Sequence, residues 1–185
     1  DSQQMASAWL DLIEGAVIEA GGQGIQRVFV NLPASGPEVD VFQQTGFTLY
    51  SREDVYRLGT SSSQAVESGA TGWRRQQPED WPAIQKLCVA VTPQRVRQTE
   101  GGIALATGLE KNCQRYVLVE KPAEELVAVL TLCVGRQAYW IRLLLHPDWR
   151  HQAEPLVGQV LALLANLPPK PVYSNVRQYE NGMCE

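Results

Sequence analysis

The side chains able to do chemistry in this 185-residue chain gather in its second half. The apolar run Tyr139 to Leu145 leads into His146-Pro147-Asp148-Trp149-Arg150-His151-Gln152-Ala153-Glu154-Pro155. A helix beginning near Glu154 offers unpaired N–H donors and the positive end of its dipole, which together suit an anion. Arg150 and His151 add cationic groups. Against that use, no glycine lets an anion approach the main chain, Pro155 lacks an N–H, and Glu154 supplies its own negative charge. The alternative is a helix capped by its own glutamate that binds nothing. Glu120 and Glu125, on or beside central strands, are placed either for general-base work or as solvated strand-end carboxylates.

Other constellations exclude more than they suggest. His146 and His151 stand five apart in a Pro-broken segment with no carboxylate or thiol to complete a metal set, so no metal site is expected. No histidine or cysteine sits in a nucleophile motif. The four cysteines, Cys88, Cys113, Cys133 and Cys184, form no Cys-x-x-Cys pair. Cys88 and Cys133 lie in apolar runs and read as small core residues, so a reducing cytoplasm is expected rather than a disulfide scaffold. Tyr139, Trp140 and Trp149 cluster at a strand end, as core packing or a sheet-edge platform rather than for base stacking.

A net charge of −4 and scattered basic residues, of which Arg74-Arg75 is the adjacent pair, argue against a general nucleic-acid binder. Hydrophobic content of 44% and charged content of 19% fit an ordinary globular chain. No apolar run reaches the roughly 18 residues of a membrane span, and no signal peptide opens the sequence.

The elements that must position these residues follow from periodicity. Helical spacing runs from Ala6 to Ala20, closed by Gly21-Gly22. Gln26 to Leu32 is expected as a strand, Glu38 to Thr45 as a short helix stopped by Gly46, and Phe47 to Leu58 as extended with a break near Ser51 to Asp54. Gly59 to Thr71 is small, polar and aperiodic, the mark of a linker. Trp73 to Gln77 is a strand; Asp80 stands at an N-cap position and Pro82 in the first turn of a helix through Ala90. A second helix runs from Thr92-Pro93 to about Thr99, and Gly101 to Asn112 reads as loop with a partial helix. Arg115 to Glu120, Glu125 to Val134 and Ala138 to Leu145 form an antiparallel meander whose last two strands are apolar enough to be buried. A helix from Glu154 to Leu167 then returns the chain to a parallel strand, Pro171 to Val176. The class is α+β, with a mixed, mostly antiparallel sheet flanked by helices.

The two ends also repeat each other. Val28-Phe29-Val30-Asn31-Leu32 aligns with Val172-Tyr173-Ser174-Asn175-Val176 at an offset of 172 − 28 = 144 positions. At that offset Leu12, Ile13, Ala16, Val17 and Ala20 meet Leu156, Val157, Val160, Leu161 and Leu164. A period of that size is about one domain. The chain is therefore expected to hold the back part of one domain in 1–58, a linker in 59–71, and the front part of a second domain in 72–185.

This order resembles the GNAT superfamily of acyl-CoA N-acyltransferases. Trp73-Arg74-Arg75-Gln76-Gln77-Pro78-Glu79-Asp80-Trp81-Pro82-Ala83-Ile84 is similar to the family's opening strand and first helix. Tyr139 to Arg150 is similar to its fourth strand and the start of the cofactor loop. Val41-Phe42-Gln43-Gln44-Thr45-Gly46-Phe47 resembles its late helix ending in Gly-Phe. The resemblance implies a tandem protein with an acyl-CoA N-acyltransferase-like fold, which moves an acetyl or acyl group from acyl-CoA to the amine of a small molecule or peptide.

It further implies cofactor contacts from Leu143, Leu144 and Leu145 by main chain, then from Arg150, His151 and Gln152. Asn175, with its repeat mate Asn31, would line a cleft between splayed fourth and fifth strands or else stabilise a turn. Glu120 and Glu125 are the candidate bases. The family's acidic tyrosine is replaced by Phe42 in the first unit, and Tyr179 falls early for that role in the second. The family's glycine-bearing loop is absent at Arg150 to Pro155, and Gln4 stands where the first unit would carry glycine. A catalytically silent binding or dimerisation module is the competing expectation. Exposed edges of two partial sheets would favour a homodimer or swapped dimer; neither nucleic acid nor membrane is expected as a partner.

Overall fold

A computed structural model describes residues 2–59, 72–101, 112–120, 125–165 and 167–183. The linker expected from Gly59 to Thr71, Gly59 aside, and the partial helix expected between Gly101 and Asn112 lie outside the described residues. The chain divides into two compact units, Asp1–Arg52 and Glu53–Glu185.

In the first unit, α1 (Ser2–Gly22) takes in the expected glycine pair. The turn that closes it contains Gly24, whose φ of 78° is left-handed. There Gly24 N–H donates to the Gly21 carbonyl at 3.0 Å and Ile25 N–H to that of Ala20 at 2.9 Å, so the reversed chain satisfies carbonyls the helix leaves open. The same device ends α2 (Glu38–Gln44). Gly46 has φ 89°, Gly46 N–H donates to Gln43 and Phe47 N–H to Phe42, each at 3.0 Å. The Phe42 and Phe47 rings then meet edge to face at 5.1 Å, an apolar clasp across the turn. The strand expected at Gln26–Leu32 is not formed: among the described residues no ladder includes it. Strand propensity there finds, among the described residues, no neighbouring strand to take up its N–H and C=O groups.

The second unit is a six-stranded sheet: β1 (Glu53–Leu58), β2 (Trp73–Arg75), β3 (Cys113–Glu120), β4 (Glu125–Val134), β5 (Tyr139–Leu145) and β6 (Val172–Arg177), in spatial order β1-β6-β5-β4-β3-β2. β5 and β6 run parallel and the other neighbours antiparallel; the β3-β4-β5 meander and the parallel return of β6 are as the sequence predicts, while the antiparallel pairings of β1 with β6 and β2 with β3 are new. The crossover between them is α5 (Ala153–Leu164). Glu53–Leu58, grouped by sequence with 1–58, is here the edge strand paired to β6, from Glu53↔Arg177 to Leu58↔Val172.

Each face of the sheet carries a core. Tyr139, Ile141, Leu143 and Leu145 of β5 pack with Ala128, Leu130 and Leu132 of β4 against Ala153, Leu156, Val160 and Leu164 of α5. On the opposite face, Val117, Leu126, Val129 and Leu144 meet Ile84, Leu87 and Val91 of α3 (Trp81–Val91). Each buried Leu, Ile or Val among them stabilises the fold by about 1.5–3 kcal/mol through lost water contact.

Two local expectations are corrected. Cys133 is not a lone core thiol: it is opposite Cys113 in the β3–β4 register and joined to it as a disulfide. Asp80 does not cap α3. Its carboxylate turns back, accepting the Gln77 N–H at 2.7 Å and two Arg74 guanidinium bonds at 2.7 and 2.6 Å. It thus ties β2 to the short 3₁₀ turn Pro78–Asp80 that introduces α3.

Candidate functional site: the opening between β5 and β6

The parallel ladder between β5 and β6 is short. It holds Tyr139↔Val172, Trp140↔Tyr173 and Ile141↔Ser174, and ends there. Both strands continue, β5 paired to β4 as far as Leu145 and β6 paired to β1 as far as Arg177. Past Ile141 and Ser174 each strand is therefore held from outside but not to the other. Carboxyl ends of parallel strands are where open α/β sheets take ligands, because main-chain groups there remain to be satisfied.

Alternation decides which side chains face this opening. Trp140 and Tyr173 stack at 5.2 Å, so they share a face, the one covered by α3. Two residues on, Arg142 and Asn175 take the same face. Arg142 is also the end of a polar row, since Arg115 pairs with Thr131 and Thr131 with Arg142 across β3, β4 and β5. Arg177 comes two residues after Asn175.

Buried carboxylates answer these cations. Glu180, in the 3₁₀ turn Gln178–Met183 that follows β6, places one oxygen 3.5 Å from the Arg142 guanidinium while the other accepts the Arg177 N–H at 3.1 Å. One carboxylate thus bridges the two strands where their ladder has ended. Glu100, the last residue of α4 (Gln94–Glu100), pairs with Arg177 at 2.6 Å. Arg177 also donates to the Tyr179 hydroxyl at 3.0 Å.

Titration follows from this crowding. Burial pushes the Tyr179 hydroxyl above its ordinary value, against the pull of Arg177. Burial pulls Arg177 downward, but Tyr179 and Glu100 outweigh it and hold the guanidinium charged. Burial lowers Arg115. The Cys88 thiol of α3, pushed by burial up to about 11, feels the charges of Arg142, Arg115 and Glu180. These groups therefore form one neighbourhood. Asn175 adds a buried side-chain oxygen with no hydrogen-bond partner.

The residues singled out by sequence fall in several places. Leu143, Leu144 and Leu145 are buried on β5 beyond the last β5–β6 pair, with their main chain along the opening. Asn175 faces it. Arg150, His151 and Gln152 lie in the 3₁₀ segment Pro147–Gln152, which runs straight into α5. Its donors are engaged: Asp148 N–H with the His146 ring at 3.3 Å, Trp149 N–H with the His146 carbonyl at 2.9 Å, and Ala153 N–H with the Arg150 carbonyl. Glu154 is exposed in the first turn of α5. Glu120 and Glu125 oppose each other at one end of the β3–β4 ladder, away from β6, and Glu125 is exposed and 3.4 Å from Lys86. The structure does not bring these two to the opening. Asn31 belongs to the other compact unit.

Sequence reasoning missed Arg142, Arg177, Glu100 and Glu180. A signal was present: Ile141-Arg142-Leu143-Leu144-Leu145 carries one charge inside a buried strand, and a buried charge demands a partner. That partner lies 38 residues away, on another element.

No protein-family model matches this chain, and neither does any curated protein. Among solved structures it is similar to the crystal structure of a functionally unknown conserved protein from Staphylococcus epidermidis ATCC 12228. The two share 12% identity at a TM-score of 0.60, over 94% of this chain and 71% of that one, a likeness of fold.

Proposed function

We propose that the second unit is a GNAT-like N-acyltransferase site, which passes an acetyl or acyl group from acyl-CoA to an amine. The observation that carries this reading is the β5–β6 ladder ending at Ile141↔Ser174 while both strands continue. An amide-rich thioester arm suits such an opening, since it can both donate to and accept from the main chain of Arg142 to Leu145. Acyl-CoA supplies the activated acyl group as a thioester.

For its phosphates the reading relies on the Arg150 and His151 side chains rather than on main-chain donors, which the Pro147–Gln152 turn already uses. Tyr179, kept protonated by burial, is the group beside the opening suited to give a proton to a departing thiolate. With this reading goes a dimer formed through sheet edges; the Cys113–Cys133 disulfide removes the ground for expecting a reducing cytoplasm. No described helix is long and apolar enough to cross a membrane.

A second reading, a silent module on the same scaffold, is favoured by one observation: the Glu180 carboxylate already joins Arg142 to β6 where a ligand would lie. Calorimetric titration with acetyl-CoA separates the two. Micromolar binding that Arg150→Ala weakens is the expected result; neither heat nor thermal stabilisation with the folded protein would leave the silent module.

A further inference from the structure

Arg142 and Asn175 occupy equivalent positions on facing strands, one step past the last ladder pair and on one face. Paired strands lie about 4.8 Å apart, and here the pairing stops at Ile141↔Ser174. The two side chains have opposite needs. Among the described residues Arg142 has one polar contact, the long one to Glu180 at 3.5 Å, and its guanidinium carries five donors in a planar fork. The side-chain oxygen of Asn175 is a buried acceptor with nothing to accept. An orphaned buried acceptor costs about 1–3 kcal/mol, so a donor brought by a ligand has that much to recover.

Of the two guanidiniums that border the opening, Arg142 is the better able to receive a carboxylate: its side chain keeps 26% of its surface exposed, against 12% for Arg177. Guanidinium meets carboxylate through two parallel bonds, which fixes orientation as well as adding affinity.

We propose that the opening between β5 and β6 binds an α-amino acid or the amino-carboxylate end of a similar molecule, with its carboxylate on Arg142 and its amine donating to the Asn175 side-chain oxygen. The two-point match selects molecules carrying both groups on one carbon and rejects simple amines and simple acids. This assignment rests on the acyltransferase reading in so far as it names the acceptor amine, but the binding site stands or falls separately. Glu180 is the internal competitor, since it holds the same guanidinium weakly until a ligand carboxylate arrives.

Ligand-observed saturation-transfer NMR on the whole chain, with the standard L-α-amino acids as probes, tests this. At least one amino acid is expected to bind, and its methyl ester and its des-amino acid to bind about 10- to 100-fold more weakly, the worth of one charge-assisted bond. Arg142→Gln should abolish the preference for the free acid over the ester. Asn175→Leu should abolish the preference for the amino acid over the des-amino acid while keeping the first. Circular dichroism establishes that each variant is folded; should Arg142→Gln fail to fold, Arg142→Lys, which keeps the charge but loses the fork, is expected to lower the preference in part. If no amino acid binds the folded wild type, or if both preferences survive in the variants, the proposal is overturned. Amino-acid binding without acetyl-CoA binding would remove the acyltransferase reading and keep the site; the reverse would do the opposite.

Discussion

Glu100 at the end of α4 and Arg177 at the end of β6 hold each other at 2.6 Å with side chains only 4% and 12% exposed. α4 is seven residues long and ends in a left-handed glycine, Gly101, so propensity alone would not keep it in place. The ion pair fastens it over the strand that borders the opening. Removing one partner strands the other charge in a desolvated site, which costs more than the pair itself gains. Glu100→Gln is predicted to destabilise the protein by about 3–5 kcal/mol. Glu100→Leu combined with Arg177→Met should recover most of that loss. Urea titration of the single and double variants measures both; equal losses would show that the charges do not act as a pair.

The Arg74–Asp80 pair predicts an acid limb in the stability curve. Hydrogen bonding from Arg74 holds the Asp80 carboxyl below its ordinary 3.8, with the Gln77 N–H helping against burial. A depressed carboxylate stabilises the fold above its unfolded value and loses that contribution as pH falls through its folded one. The stability gap between wild type and Asp80→Asn should therefore be constant down to about pH 5 and close below about pH 4. Arg74 is 42% exposed, so screening by water limits Arg74→Gln to about 1 kcal/mol or less, whereas Asp80→Asn also loses a turn contact and costs about 1–2 kcal/mol. Thermal melts across that pH range decide it. A gap that widens on acidification would reverse the sign.

The Cys113–Cys133 disulfide closes a segment of sequence separation 20 between β3 and β4. A cross-link over such a loop restricts the unfolded chain by about 3 kcal/mol. Reduction is predicted to lower the melting temperature without dissolving the sheet, because Tyr116↔Leu130 and Val117↔Val129 continue the ladder beside it. Melting with and without a reductant, alongside mass analysis of alkylated cysteines, reads both the bond and its weight. A reduced protein as stable as the oxidised one would show that the bond contributes nothing.

How much of this was legible in sequence depends on range. β4 and β5 show as apolar runs because both faces of each are covered, by α3 and α5. The stop at Gly46 shows because only glycine takes its left-handed turn without strain. By contrast, Gln26–Leu32 and Glu53–Leu58 both carry strand-forming residues, yet only the second finds a partner, and pairing is not written in either segment. Asp80 satisfied the N-cap rule by type but chose Arg74, whose approach depends on how β2 docks. The site behaved likewise: the opening follows from where a ladder ends, and Glu180 reaches Arg142 only after the chain has turned back past β6.

Cys88 reports on that neighbourhood from the helix above it. Its thiol is pushed by burial up to about 11, although Arg142 and Arg115 pull the other way. Only the thiolate reacts, so at pH 8 about one molecule in a thousand is reactive, against roughly one in four for a free cysteine, and alkylation should run about 200-fold slower. Replacing Arg142 with glutamine removes one of the charges that favour the thiolate and should slow it further, whereas Glu180→Gln removes an opposing charge and should speed it. Iodoacetamide labelling of the three proteins with disulfides intact, read at the peptide containing Cys88, gives the order directly. Opposite shifts in the two variants place Arg142 and Glu180 within electrostatic reach of one thiol; shifts of the same sign would mean that the variants act by opening the helix instead.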